Sequence, residues 1–168
     1  MNKKLRKLVY LAMFTTLAVA LHIFEGALAI PLPSGIKLGF ANIVALIVIE
    51  IFSAKDMVVV NFLRVILAGL LGGSIFSYPW FISLGGVILS SLAIMICKRC
   101  FDLPIVSLSI MSALFHGIGQ IIVVVYIYQS LAIASWIIVL FASSIPTGIF
   151  TGMIASTCLH YLKNRIKC

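Results

Sequence analysis

Asn61-Phe-Leu-Arg-Val-Ile-Leu-Ala-Gly-Leu-Leu-Gly-Gly73 places a guanidinium, that of Arg64, inside an apolar run that reaches from Met57 to Gly73 and is long enough to cross a bilayer. An arginine at the centre of a spanning helix costs a few kcal/mol even on the lenient insertion scale, about +2.5 to +3.5, so it faces a protein interior or a wet cavity and finds a partner there. Two roles fit such a residue. It either ties helices together through a carboxylate or backbone carbonyls, or it binds a ligand.

The composition around that stretch is that of an integral membrane protein. Of 168 residues, 63% are hydrophobic and 10% are charged, and the mean hydropathy is +1.26; an ordinary soluble domain carries about 25% charged residues. The net charge of +8 does not mark a nucleic-acid surface, because the basic residues sit in short segments between apolar runs and not among aromatics on a polar domain. Nucleic acid is excluded as a partner, and the lipid bilayer is the expected one.

Six apolar runs follow one another, at about 8–24, 38–52, 57–73, 81–97, 104–129 and 136–161. The expected fold class is therefore an all-α integral membrane protein, a six-transmembrane-helix bundle forming a single membrane domain over 1–168. The basic start, the first apolar run and Ala27-Leu28-Ala29 also describe a cleavable signal peptide. With five further runs behind it, the segment is read as a retained first helix. Of the twelve Lys and Arg, all but Lys37 and Arg64 fall in the N-terminal segment, the second and fourth connections and the C-terminal tail. Both termini are thus expected on the cytoplasmic side of a multi-pass protein of the cell membrane, by its character a bacterial plasma membrane. The connections are nearly all short, so activity must lie within the bundle or on its faces.

Depth along the helices groups the polar residues. The third and fifth helices both enter from the cytoplasm, which puts Arg64 near the midplane, at about 1.5 Å per residue. Ser112, His116 and Gln120 recur every four residues along one face of the fifth helix, and Asn42 sits at a matching depth on the second. Asn42, Arg64, Ser112, His116 and Gln120 are expected to line one polar cavity, with Lys37 and Tyr78-Pro79-Trp80 at its mouth. A small polar or anionic ligand suits that lining. His116 also has a bland role open to it, as a neutral histidine bonded to a neighbouring helix.

Gly117 and Gly119 are expected to interrupt the fifth helix beside that site, and Pro146 to kink the sixth. Two stripes of small residues stand out. Ala12, Thr16 and Ala20 form one on the first helix, suited to close approach by another helix of this chain or of a partner. Ser144, Gly148, Gly152 and Ser156 form another on the sixth, where intramolecular packing is the expected use.

Catalytic sets are missing from the sequence. It contains no G-x-x-x-x-G-K-[ST] phosphate loop, so ATP is not hydrolysed by this chain alone. Asp56 and Asp102 stand far apart, and with only Glu25 and Glu50 beside them no carboxylate cluster can hold the magnesium ions of diphosphate chemistry. Cys97-Lys-Arg-Cys100 has no second Cys or His pair near it, and Cys158 and Cys168 lie at the same, reducing side. No enzyme activity, metal or cofactor is expected.

Three segments together resemble a known family. Ser34-Gly-Ile-Lys-Leu-Gly-Phe-Ala-Asn-Ile-Val-Ala-Leu46, the Leu63-Arg64 span ending in glycines, and Ala113-Leu-Phe-His-Gly-Ile-Gly-Gln120 resemble the Gx transporter family, whose members are often labelled heptaprenyl diphosphate synthase component I. The resemblance covers nearly the whole chain. The pattern expects asparagine where Gly117 stands, which bears on one polar contact of the cavity and not on the fold. That family looks like a relative of the substrate-binding S components of energy-coupling factor transporters, which capture a vitamin-like ligand and rely on a coupling transmembrane subunit and ATPase subunits. The resemblance implies that Ala12, Thr16 and Ala20 dock the coupling subunit, and it makes a flavin or an isoprenoid diphosphate the candidate ligand. Its label implies a second role, as a membrane accessory subunit of a prenyl diphosphate synthase whose active site lies on the partner.

Overall fold

The protein is described here from a computed structural model covering residues 2–27, 40–101, 103–130, 135 and 137–163. Among these residues the regular structure is entirely α-helical, in six elements. They are α1 (Lys3–Ala27), α2 (Asn42–Ile51), α3 (Ala54–Leu71), α4 (Tyr78–Cys100), α5 (Ile105–Tyr128) and α6 (Ile137–Lys163). The predicted order and number of helices are those observed.

Four of the six, α1, α4, α5 and α6, are long and apolar enough to cross a membrane. The other two differ for separate reasons. α3 has the length, about 27 Å for its 18 residues, but carries Lys55, Asp56 and Arg64. α2 is shorter than the apolar run from 38 to 52 suggested: it begins at Asn42, after a turn at Phe40–Ala41, and its 10 residues rise only about 15 Å. It is also the most enclosed element. Every residue from Asn42 to Ile49 is buried, and the helix packs on α1, α3, α5 and α6.

Ion pairs define one end of the bundle. Lys7 of α1 meets Asp56 of α3 at 2.8 Å, while Glu50 at the end of α2 receives Lys98 of α4 at 2.6 Å and Lys163 of α6 at 3.6 Å. Next to this charged end the interior is apolar. Val44 to Ile49 of α2 pack there with Met57, Val60, Ile94, Cys97, Leu108, Ala155 and Leu159. The outer surface is apolar too, with Leu8, Met13, Leu71, Ile96, Ile138 and Met153 each more than half exposed, as side chains facing lipid are.

Glycines set the closest helix approach. A Cβ built on Gly119 of α5 would lie 2.4 Å from the Gly85 carbonyl oxygen of α4, so the two backbones touch. Gly117 and Gly119 do not interrupt α5, which runs unbroken through both. Gly119 packs its backbone against α4, while Gly117 faces Leu140 and Ser144 of α6. Pro146 likewise lies inside a continuous α6. On that helix Gly148 packs against Ile110 and Gly152 against Val106 and Ser109, and the Ser109 and Thr151 hydroxyls are 2.9 Å apart. The sixth-helix stripe is therefore intramolecular packing, except Ser156, which is exposed.

Trp80, expected at the interface, is half-buried in the first turn of α4. Its indole Nε1 donates to the Val65 carbonyl at 3.2 Å and its ring covers Gly69, so it pins α4 to α3 across their connection. That connection turns at Gly73, whose φ of +61° is open to glycine, and at Phe76, whose φ of 62° is not a favoured value for its side chain. An edge contact with the Trp80 ring, 5.3 Å between centroids, holds Phe76 there.

Two glycines two residues apart on α5 should behave oppositely. Gly119→Ala forces a methyl into the Gly85 backbone and should destabilise the protein by about 1–3 kcal/mol. A Cβ on Gly117 meets only Leu140 and Ser144, at 3.7 and 3.8 Å, so Gly117→Ala should be neutral or stabilising by up to about 1 kcal/mol. Thermal unfolding of the purified protein in mild detergent reads both.

Candidate functional site

Arg64 sits on the inward face of α3, which buries Met57, Val60, Asn61, Arg64, Val65 and Ala68 at the three- and four-residue spacing of one helical stripe. Ten residues beyond the start of α3, it stands about 15 Å above the charged end, where the apolar core gives way. Its side chain is 1% exposed. Both terminal nitrogens point to the Asn42 side-chain oxygen, NH1 at 3.4 Å and NH2 at 3.5 Å. These are long for hydrogen bonds, and Nε has no hydrogen-bond partner among the described residues. The opposite charge acting on the guanidinium comes from Glu25, buried in the last turn of α1.

Two further side chains extend the polar layer. Asn61, one turn before Arg64 on the same face, donates from Nδ2 to the Ser91 hydroxyl of α4 at 2.9 Å, and the same nitrogen approaches the Met57 sulfur at 3.3 Å. Its own oxygen, Oδ1, is buried and has no hydrogen-bond partner among the described residues.

The α5 face is buried as its spacing predicted. Ser112, His116 and Gln120 are all buried, and the His116 ring lies directly against Gly86 of α4, where a Cβ would come within 2.9 Å of both ring nitrogens. Gly86 is thus the clearance for an imidazole. Gln120 is fully buried and neither its Oε1 nor its Nε2 has a hydrogen-bond partner among the described residues; the Ser112 hydroxyl is in the same state. A buried polar group left unmade costs about 1–3 kcal/mol, and such groups in a native fold call for an explanation.

The structure joins Arg64 to Asn42 and leaves Ser112, His116 and Gln120 together on α5. Lys37 lies outside the described residues. Tyr78 is exposed, and Trp80 is engaged with α3 as described above. Ala12, Thr16 and Ala20 all lie on the exposed side of α1, whose buried side is Phe14, Thr15, Ala18 and Val19. Gly117 faces Leu140 and Ser144 of α6, away from Gly86, so an asparagine there would not have reached the His116 side of the helix.

Glu25, Asn61 and Ser91 were not anticipated as part of the polar layer. Asn61 carried a signal, since it is three residues from Arg64 and shares its face. Glu25 carried a weaker one, as the lone acid at the end of an apolar run. No group of three or more His, Cys, Asp or Glu able to hold a metal ion gathers among the described residues.

Because the imidazole rests on a glycine, Gly86→Ala should displace it while leaving the helix intact. The expected readout is a changed resonance for the His116 ring in protein labelled at histidine, with helical content unaltered by circular dichroism.

Comparison with known proteins gives one result: the sequence pattern described as heptaprenyl diphosphate synthase component I matches residues 14–158. No curated protein and no solved structure matches the chain. With the match covering all six helices in whole or in part, including Arg64, His116 and Gln120, the chain belongs to the heptaprenyl diphosphate synthase component I family.

Proposed function

We propose that this protein is the substrate-binding membrane subunit of a small-molecule transporter of the energy-coupling factor type, multi-pass in a bacterial plasma membrane and without catalytic activity of its own. The observation that carries this reading is a set of buried polar atoms on α3 and α5 without hydrogen-bond partners among the described residues: Arg64 Nε, the Ser112 hydroxyl and both ends of the Gln120 amide. A purely structural network would be expected to satisfy its members, because an orphaned polar group in a low-dielectric interior is destabilising. A ligand offering a carbonyl or anionic oxygen to Arg64 and an amide-like edge to Gln120 supplies what the protein withholds. Asn42 and His116, both buried, complete the lining on this reading. Phosphorylated or vitamin-like metabolites such as a flavin have this chemistry.

On this reading the energy for transport comes from elsewhere. Ala12, Thr16 and Ala20 form an exposed stripe of small side chains on α1, suited to close packing against a coupling transmembrane subunit that carries the ATPase subunits.

The family's description favours a second reading, an accessory membrane subunit of a prenyl diphosphate synthase. In that case the buried polar layer is a structural staple and the carboxylate-rich active site belongs to a soluble partner.

Native mass spectrometry of the protein released from mild detergent separates the two, with Arg64→Ala and Gln120→Leu alongside. A small molecule bound to wild type and absent from both folded variants supports the transporter subunit; a retained prenyl synthase with no small molecule supports the accessory role. A companion experiment tests the docking face. Ala12→Leu and Thr16→Leu should leave the bound molecule in place and abolish co-purification with a coexpressed coupling subunit, and unchanged co-purification would remove α1 as its docking site.

A further inference from the structure

A cavity of about 420 Å³, away from Arg64, opens at the charged end. Its polar wall is Glu50, Lys98, Ser156, His160 and Lys163. Its apolar wall is Leu103, Ile105 and Leu159, with Pro104 at the start of α5. We propose that this pocket holds the phosphate of an anionic glycerophospholipid drawn from the surrounding bilayer, with the upper part of its acyl chains against the apolar wall.

Two lysines from different helices converge on one spot, and the arrangement already handles an anion. Glu50 draws Lys98 to 2.6 Å and Lys163 to 3.6 Å, which turns both ammonium groups toward the pocket. The Lys163 side chain is 59% exposed and holds Glu50 the more loosely, so it is free to turn to a phosphate while Lys98 stays with the carboxylate. His160 adds a third donor at the rim, and Ser156 a hydroxyl. α5 begins at the wall, and its first turn carries no acidic residue and no side-chain cap.

The pocket's height in the bundle selects a lipid over a soluble anion. It lies where apolar helix surfaces meet the charged end, the depth of headgroups, and one wall is aliphatic; basic pockets between helices at this level are the usual sites of anionic headgroups. A free phosphate ion would leave that wall unused. The occupied pocket would tie α2, α4, α5 and α6 together at the end where α2, with its short rise, needs anchoring.

The test uses the full chain in neutral detergent, titrated with dioctanoyl phosphatidylglycerol, dioctanoyl phosphatidylcholine or inorganic phosphate and read by native mass spectrometry. Wild type should retain the glycerol lipid and not the choline lipid. Lys98→Gln combined with Lys163→Gln should weaken retention by roughly tenfold or more. Ser156→Phe, which fills the pocket and keeps every charge, should do the same, and it separates a site from a general attraction to a basic surface. Lys7→Gln, at the other ion pair, should change nothing. Equal retention of both lipids, full retention by Ser156→Phe with an unaltered melting temperature, or displacement of the lipid by equimolar inorganic phosphate would each overturn the proposal.

Discussion

A guanidinium in a helix bundle this apolar cannot be left to itself, and the arrangement of the whole interior follows from that. Hydrocarbon offers no acceptor, so the protein must bring them. Asn42 arrives on α2 and Glu25 on α1, while Asn61 and Ser91 occupy the adjoining turn of α3 and α4. The result is an interior split by level, with apolar side chains around Val44 to Ile49 toward the charged end and polar ones around Arg64 beyond it. Neither half is interchangeable with the other, because the first supplies packing and the second supplies unspent hydrogen-bonding capacity.

The glycines and Trp80 serve that split. Gly85 and Gly119 let the α4 and α5 backbones touch, which brings the His116 ring onto Gly86. Trp80 locks the α3–α4 corner from the side, bonding to the carbonyl of Val65, the residue next to Arg64. A rigid α3 matters here, since the angle of the guanidinium is set by the helix that carries it. The long contacts between Arg64 and Asn42 then mark a charge that is held in position and only partly satisfied.

Much of this was legible in the sequence. The order of six helices, the inward Arg64 and the burial of Ser112, His116 and Gln120 along one face of α5 follow from hydropathy and helical spacing. What the sequence concealed has physical causes. Hydropathy cannot locate the start of α2, because the turn at Phe40–Ala41 is apolar too. The continuity of α5 through Gly117 and Gly119 goes with packing against α6 at the first and α4 at the second, which is tertiary. The bond from Trp80 to a carbonyl of α3 depends on how α3 and α4 pack, which the aromatic alone does not announce. The part played by Glu25 rests on a pairing between α1 and α3, and nothing local announces it.

The shortness of α2 has a consequence for how the chain enters its membrane. A segment of 10 residues rises about half the thickness of the hydrocarbon layer, and a helix buried along its first eight residues has no face of its own for lipid. Alone it is a poor substrate for the insertion machinery. Its enclosure comes from α6 and α3 above all, with α1 and α5 completing it. The place of α2 in the membrane is therefore made by helices from both ends of the chain, and it is complete only when α6 has packed against it.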